Sequence, residues 1–129
     1  MIPFRCELEP GAPVHEQVGF AARKAIVSGK LRPGDAFPSV RALSKAFKIH
    51  ANTAQKVISQ LVAEGLLEVR PGIGTAVCQP PPGARNGRAR LLGRDVEQLT
   101  VEAMQLGVTL EELQEAIAAS WRGLRRKEG

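Results

Sequence analysis

Apolar positions recur at helical spacing from Val14 through Val18, Ala21/Ala22 and Ala25/Ile26, predicting a helix with Pro13 in its first turn and Gly29 at its stop. Residues 31–38 follow as loop chemistry, with Pro33-Gly34-Asp35 as the turn. Ser39 is a suitable N-cap for a short second helix that sets Val40, Leu43 and Phe47 on one side. The pattern breaks over Lys48-Ile49-His50-Ala51. A third helix then lines up Ala54, Val57, Ile58, Leu61 and Val62 as its inward stripe and closes at Gly65. Two short β-prone runs, Leu66–Arg70 and Thr75–Val77, flank a Pro71-Gly72-Ile73-Gly74 tip and read as a hairpin.

The chain then changes character. Residues 79–90 carry no apolar side chain larger than alanine and cluster Pro, Gly and Arg, which reads as a linker, stiff at its triple-proline start. Beyond it, Val96, Leu99, Ala103 and Leu106 space as an amphipathic helix that Gly107 can end. Thr109-Leu110-Glu111-Glu112 has the form of a capping box, with Val108 placed to staple onto Leu113. The helix it opens sets Leu110, Leu113, Ile117, Trp121 and Leu124 along one seam, the pattern of a helix that packs on another helix. The fold class is therefore mainly α with a small β-hairpin: a winged helix-turn-helix over 1–78, a Pro/Gly/Arg linker over 79–93, and a C-terminal two-helix appendage over 94–129.

Composition narrows the field. The 129 residues carry 18 Lys+Arg against 13 Asp+Glu, a formal charge of +5. That charge is uneven: 1–78 is basic, 79–94 holds Arg85, Arg88, Arg90 and Arg94 with no acid, and 95–121 holds acids with no base. Such a division suggests one part that meets a polyanion and another that does not. No apolar run approaches the roughly 20 residues of a membrane span, and the start of the chain lacks the basic and apolar regions of an export signal. Two cysteines, Cys6 and Cys78, are too few for a secreted disulfide scaffold and point to a reducing cytoplasm. With His15 and His50 they match no recognised metal spacing, and the chain shows no phosphate-binding glycine loop, nucleophile elbow or paired carboxylates, so neither a cofactor nor an enzymatic activity is expected.

In a helix-turn-helix the second helix enters the DNA major groove, and its outward residues near the N-terminus reach base edges. Here those are Ala51, Asn52, Thr53, Gln55, Lys56 and Ser59. Asn and Gln can bond adenine bidentately, Thr and Ala methyls can touch the thymine methyl, and Lys56 suits a phosphate. A polar helix face is commonly just solvated, but the glycine-tipped hairpin immediately after it favours the DNA reading. The linker arginines are either a solvated tether or an arm that follows the DNA backbone.

From Pro13 to Val77 the chain resembles the GntR superfamily of bacterial transcription regulators, especially its small YtrA-like branch. The stretches that carry the likeness are PVHEQV at 13–18, IVSGKLRPGD at 26–35, FPSVRALS at 37–44, NT at 52–53, LVAEGLLE at 61–68 and GIGT at 72–75. The resemblance implies a homodimeric DNA-binding protein, usually a repressor, acting on a palindromic operator that in this branch often belongs to a transporter operon. It gives Arg41 a contact from the first helix of the pair, to phosphate or guanine. It puts Asn52 and Thr53 at the start of the recognition helix, and Gly72 and Gly74 at the wing tip near the minor groove. The chain departs from much of the superfamily at Ala51 and Gln55, where Arg is frequent, which alters the base-reading code rather than the groove entered. The C-terminal helix pair is implied to dimerise through Leu99, Leu106, Leu110, Leu113, Ile117, Trp121 and Leu124. Fewer than forty residues beyond the linker leave little room for a walled effector pocket of ~300 Å³ or more, so whether an effector exists stays open. The rival reading from another class is a winged-helix protein-interaction module without sequence-specific DNA binding.

Overall fold

The structure, a computed structural model, describes residues 2–78 and 85–125. Its elements in order are α1 (Val14–Val27), α2 (Val40–Phe47), α3 (Ala51–Ala63), β1 (Leu67–Arg70), β2 (Gly74–Val77), α4 (Arg85–Arg90), a π-helical turn (Leu91–Asp95), α5 (Val96–Gln105) and α6 (Leu110–Arg125). The chain divides into two compact units, the first built on α1–α3 and the hairpin, the second on α4–α6.

The first unit follows the predicted order. Pro13 stands at the N-cap position of α1, and Gly29, at φ +86°, turns the chain out of the helix. Ser39 caps α2 by accepting from the Ala42 N–H at 3.1 Å. The break between α2 and α3 is made by Lys48 in the left-handed region, at φ 55° and ψ 50°. Glycine normally takes this conformation because a Cβ crowds the following carbonyl there. The Ser44 hydroxyl donates to the Ile49 carbonyl across the same break. Gly65, at φ +81°, ends α3 and hands the chain to β1.

The hairpin is antiparallel, with Leu67 opposite Val77 and Arg70 opposite Gly74. A further segment lies along the outer edge of β2: Gly34 donates to Val77, Phe37 donates to Thr75, and the Val77 N–H donates back to Asp35. Residues 31–38, expected to be loop alone, thus supply an additional short pairing partner through the Ala36–Ala76 bridge. The pairing is too short to leave an alternating pattern in the sequence.

One core holds the unit together. Val18, Ala22, Leu31, Leu43, Val57, Leu61, Leu67 and Val77 are buried in it, drawn from all three helices and both strands. Burial of each larger aliphatic side chain contributes roughly 1.5–3 kcal/mol. Phe4 is buried as well, its ring 5.9 Å from that of Phe37 and 5.7 Å from that of Phe47 between centroids. It ties down an N-terminal segment that the side chain of Gln17 also pins, by paired bonds to the Glu9 backbone and a third to the Ala12 carbonyl. Arg23 of α1 reaches Glu64 beyond the end of α3 through two hydrogen bonds of 2.8 and 2.6 Å. Both side chains are partly exposed, so the pair contributes modestly, under about 1 kcal/mol.

The second unit departs from expectation at its start. The linker was expected to run through residue 93, but residues 85–95 are helical and continue into α5. Residues 79–84 lie outside the described residues. The linker reading rested on the lack of large apolar side chains, yet a helix that buries no face needs no apolar stripe, and Arg and Ala are good helix formers. The π-helical turn contains Gly93, and Arg90 pairs with Asp95 at 3.4 Å, the five-residue spacing that such a turn brings together. Gly107, at φ +73°, ends α5. The capping box forms as predicted: the Glu112 N–H donates to Thr109 Oγ1 at 3.1 Å, and the Thr109 N–H donates to Glu112 Oε1 at 2.9 Å.

Candidate nucleic-acid interface

The inward stripe of α3 fixes what its other face presents. With Ala54, Val57, Ile58 and Leu61 buried, helical spacing turns Asn52, Gln55, Lys56 and Ser59 outward on one exposed face. Ala51 is exposed at the start of the helix, and Thr53 is half-buried at the edge of that face. Arg41 is exposed in the first turn of α2. Arg41, Asn52, Thr53 and Lys56 form no side-chain hydrogen bond or ion pair among the described residues. Gln55 is different: its Nε2 donates to Ser59 Oγ at 3.0 Å, so it must exchange that bond to reach a base.

His50 occupies the N-cap position of α3, as its place in the sequence allows, but its side chain makes no capping bond. The first N–H groups of α3 are therefore left without a side-chain acceptor, and that end of the helix carries the positive pole of its dipole. The recognition helix begins electropositive, next to a run of cations. Between Asp35 and Glu64 the chain has no acid, while Arg41, Lys45, Lys48 and Lys56 are all exposed there. Lys45 and Lys48 lie outside the site residues expected from the sequence. The acid-free interval was the signal that could have found them.

The hairpin tip is set by backbone conformation. The Ile73 N–H donates to the Arg70 carbonyl at 3.0 Å, closing a turn with Pro71 second and Gly72 third, the latter at φ +78°. Gly74 follows at φ +126°. A Cβ built on either glycine would meet nothing within 4 Å, so conformation, not crowding, requires glycine there. Both glycines face open space at the end of the hairpin.

In the second unit, Val96 and Leu99 of α5 and Leu106 just after it are exposed, as are Leu110, Ile117 and Trp121 of α6, while Leu113 is half-buried; Leu124, near the end of α6, is half-buried too. Val101 and Met104, outside the predicted stripe, add to the apolar surface. Among the described residues no three His, Cys, Asp or Glu side chains are grouped so as to hold a metal ion, and no helix is long and apolar enough to cross a membrane.

A helix-turn-helix whose second helix presents amide and cationic side chains, followed by a glycine-tipped hairpin, defines a winged helix-turn-helix protein. Residues 14–77 match the family described as bacterial regulatory proteins, gntR family. The chain is 31% identical over 106 residues to the HTH-type transcriptional repressor YtrA of Bacillus subtilis (strain 168), spanning 81% of this chain and 82% of that protein. Its fold is similar to the crystal structure of a transcriptional antiterminator from Listeria monocytogenes EGD-e, with a TM-score of 0.80 at 18% identity over 95% of this chain and 92% of that one. It is also similar to the DNA-binding domain of AraR in complex with operator ORX1, with a TM-score of 0.51 at 30% identity over 56% of this chain and 92% of that one. The chain belongs to the GntR family of transcription regulators, a family of DNA-binding proteins and not of enzymes.

Proposed function

We propose that this chain is a cytoplasmic, homodimeric repressor that binds a palindromic operator, one recognition helix to each half-site. The observation that carries the reading is the exposed face of α3, where Asn52 and Lys56 point outward and, like the exposed Arg41 of α2, have no side-chain partner among the described residues. Arg41, Lys56 and the N-terminal amides of α3 hold phosphates and fix the register, while Asn52, Thr53 and Gln55 reach base edges. Ala51 offers only a methyl group, suited to thymine. Gly72 and Gly74 let the hairpin backbone approach the duplex closely. The exposed seam of α5 and α6 supports a second copy as partner, since two helices cannot hide such a stripe alone. Operator occupancy then blocks polymerase; the resemblance to the YtrA-like branch favours the operon of a transporter as the target.

Selection of duplexes from a random-sequence pool by the full chain tests this directly. An enriched palindrome bound about a thousand-fold more tightly than bulk DNA is the expected result. Arg41→Ala should then weaken binding by about tenfold or more and, for a phosphate contact, flatten the salt dependence of log affinity by about one unit. Weak binding without sequence preference would instead favour the protein-interaction module.

A further inference from the structure

We propose that the outward face of α1 is a contact between two copies of this chain, through which one homodimer joins another while both hold DNA. The inference rests on the DNA-binding, homodimeric reading above and adds a second surface for self-association, separate from α5 and α6. Inside the first unit α1 packs on α3, with Val18, Ala22 and Ala25 buried on one helix and Ala54, Val57 and Leu61 on the other. Two helices packed face to face turn their exposed faces in opposite directions. The outward face of α1 therefore points away from Asn52, Gln55 and Lys56, and it stays open when α3 lies on a duplex.

Helical spacing gathers Glu16, Phe20, Arg23, Lys24 and Val27 within about a third of the circumference of α1. Phe20 is 61% exposed and Val27 60%. Arg23 is engaged with Glu64, and the adjacent Gln17 side chain holds the N-terminal segment. Glu16 and Lys24 are exposed and form no hydrogen bond or ion pair among the described residues; Lys24 Nζ lies 5.8 Å from the centre of the Phe20 ring. The face thus carries one available acid and one available base, four residues to either side of an exposed aromatic ring.

That spacing is self-complementary. In an antiparallel pair of α1 helices with a two-fold axis at Phe20, position 16 of each copy meets position 24 of the other. Phe20 then lies on Phe20, two Glu16–Lys24 ion pairs flank the rings, and each Val27 covers the exposed Pro13 of the other copy. A parallel pair would set Glu16 against Glu16 and Lys24 against Lys24, so the charges select the antiparallel arrangement. Two large apolar side chains per copy fall short of the ~1,200–2,000 Å² of a stable interface. The contact is a weak one, doubled because each homodimer brings two such faces.

The test follows the mass of the full chain by sedimentation, alone and with a short duplex carrying the palindrome it enriches from a random pool. Chain concentration is raised from about 1 to several hundred micromolar. Wild type should pass from dimers to larger assemblies over this range, and the duplex should ride along, one per dimer. Glu16→Lys or Lys24→Glu sets like charges opposite each other and should weaken the association by about tenfold. The combined Glu16→Lys/Lys24→Glu protein should return to within about threefold of wild type, and Phe20→Ala, which leaves the charges in place, should weaken association by about tenfold. All four variants should bind a single operator as wild type does and unfold at its temperature, because the side chains are exposed and face away from the duplex. Dimers that never associate leave the face to a different protein and overturn the self-contact. Single reversals that associate like wild type, a combined variant as weak as the single ones, or an association that the duplex abolishes overturn it as well. A pool with no enriched duplex overturns the DNA-binding reading instead, and a wild-type monomer at micromolar concentration overturns the homodimer, while the pattern among the variants still decides the α1 contact.

Discussion

Lys48 shows how much of the helix-turn-helix depends on one backbone conformation. Its left-handed φ and ψ turn the chain between α2 and α3, and an L side chain there costs roughly 1–2 kcal/mol that glycine would not incur. Glycine in turn loses more freedom on folding, so Lys48→Gly should stabilise the protein by only about 0.5–1 kcal/mol. A shift of the urea midpoint with an unchanged slope would show it. A destabilised variant would mean that the lysine stem packs on the break. The sequence marks the break plainly, since the apolar spacing stops at Lys48, but it does not name the residue that turns, because lysine is no turn signal. The same limit applies to the site. Asn52, Gln55 and Lys56 were legible as outward residues because the stripe on the opposite face is strict, and the structure presents all three on the exposed face. The bond from Gln55 to Ser59 was not legible, since helical neighbours four apart meet only if their rotamers agree.

At the scale of elements, the helices with capping chemistry were readable and the one without it was not. Ser39, Gly65, Gly107 and the Thr109–Glu112 box each mark an observed end, whereas α4 has neither an apolar stripe nor a signature residue and follows a proline run that reads as linker. The capping box also makes α6 sensitive to acid. The Glu112 carboxyl lies below its ordinary range, held there first by the backbone N–H of Thr109 and then by the Thr109 side chain. A carboxylate with a lowered folded value lends stability that is present above its unfolded value and lost as pH falls through the folded one. The first turn of α6 should therefore loosen on acidification through and below the ordinary carboxylate range. Amide exchange of residues 110–113 should report it. In Glu112→Gln the acid-dependent part should vanish, and Thr109→Ala should weaken the turn at every pH, by about 1 kcal/mol. Protection that falls equally with acid in Glu112→Gln would assign the effect to another group.

Across the whole molecule, the two units differ in how they treat their apolar side chains. The first draws a continuous core from three helices and a hairpin, whereas α5 and α6 leave Leu110 64% and Trp121 65% exposed, along with Val96, Leu99 and Leu106. This contrast was written into the sequence as a clean apolar seam with nothing in the remaining chain assigned to cover it. The occupant was not written there, since a seam specifies an apolar partner and not its identity. The proposed second copy makes a sharp demand on DNA binding, because two linked reading heads raise the effective concentration of the second half-site and gain on the order of a hundredfold or more in affinity. Ile117→Asp combined with Trp121→Asp places charge in the middle of the seam and buries nothing new in the single chain. The wild type should sediment as a dimer at micromolar concentration and the double variant as a monomer. The variant should lose about a hundredfold in affinity for a full palindrome yet bind a single half-site nearly as well as wild type. The first unit should still unfold cooperatively in both proteins. A wild-type monomer, or a double variant that stays dimeric, would remove the second copy as the partner of α5 and α6. Equal loss on half-site and palindrome would instead mean that the substitutions act through the reading head.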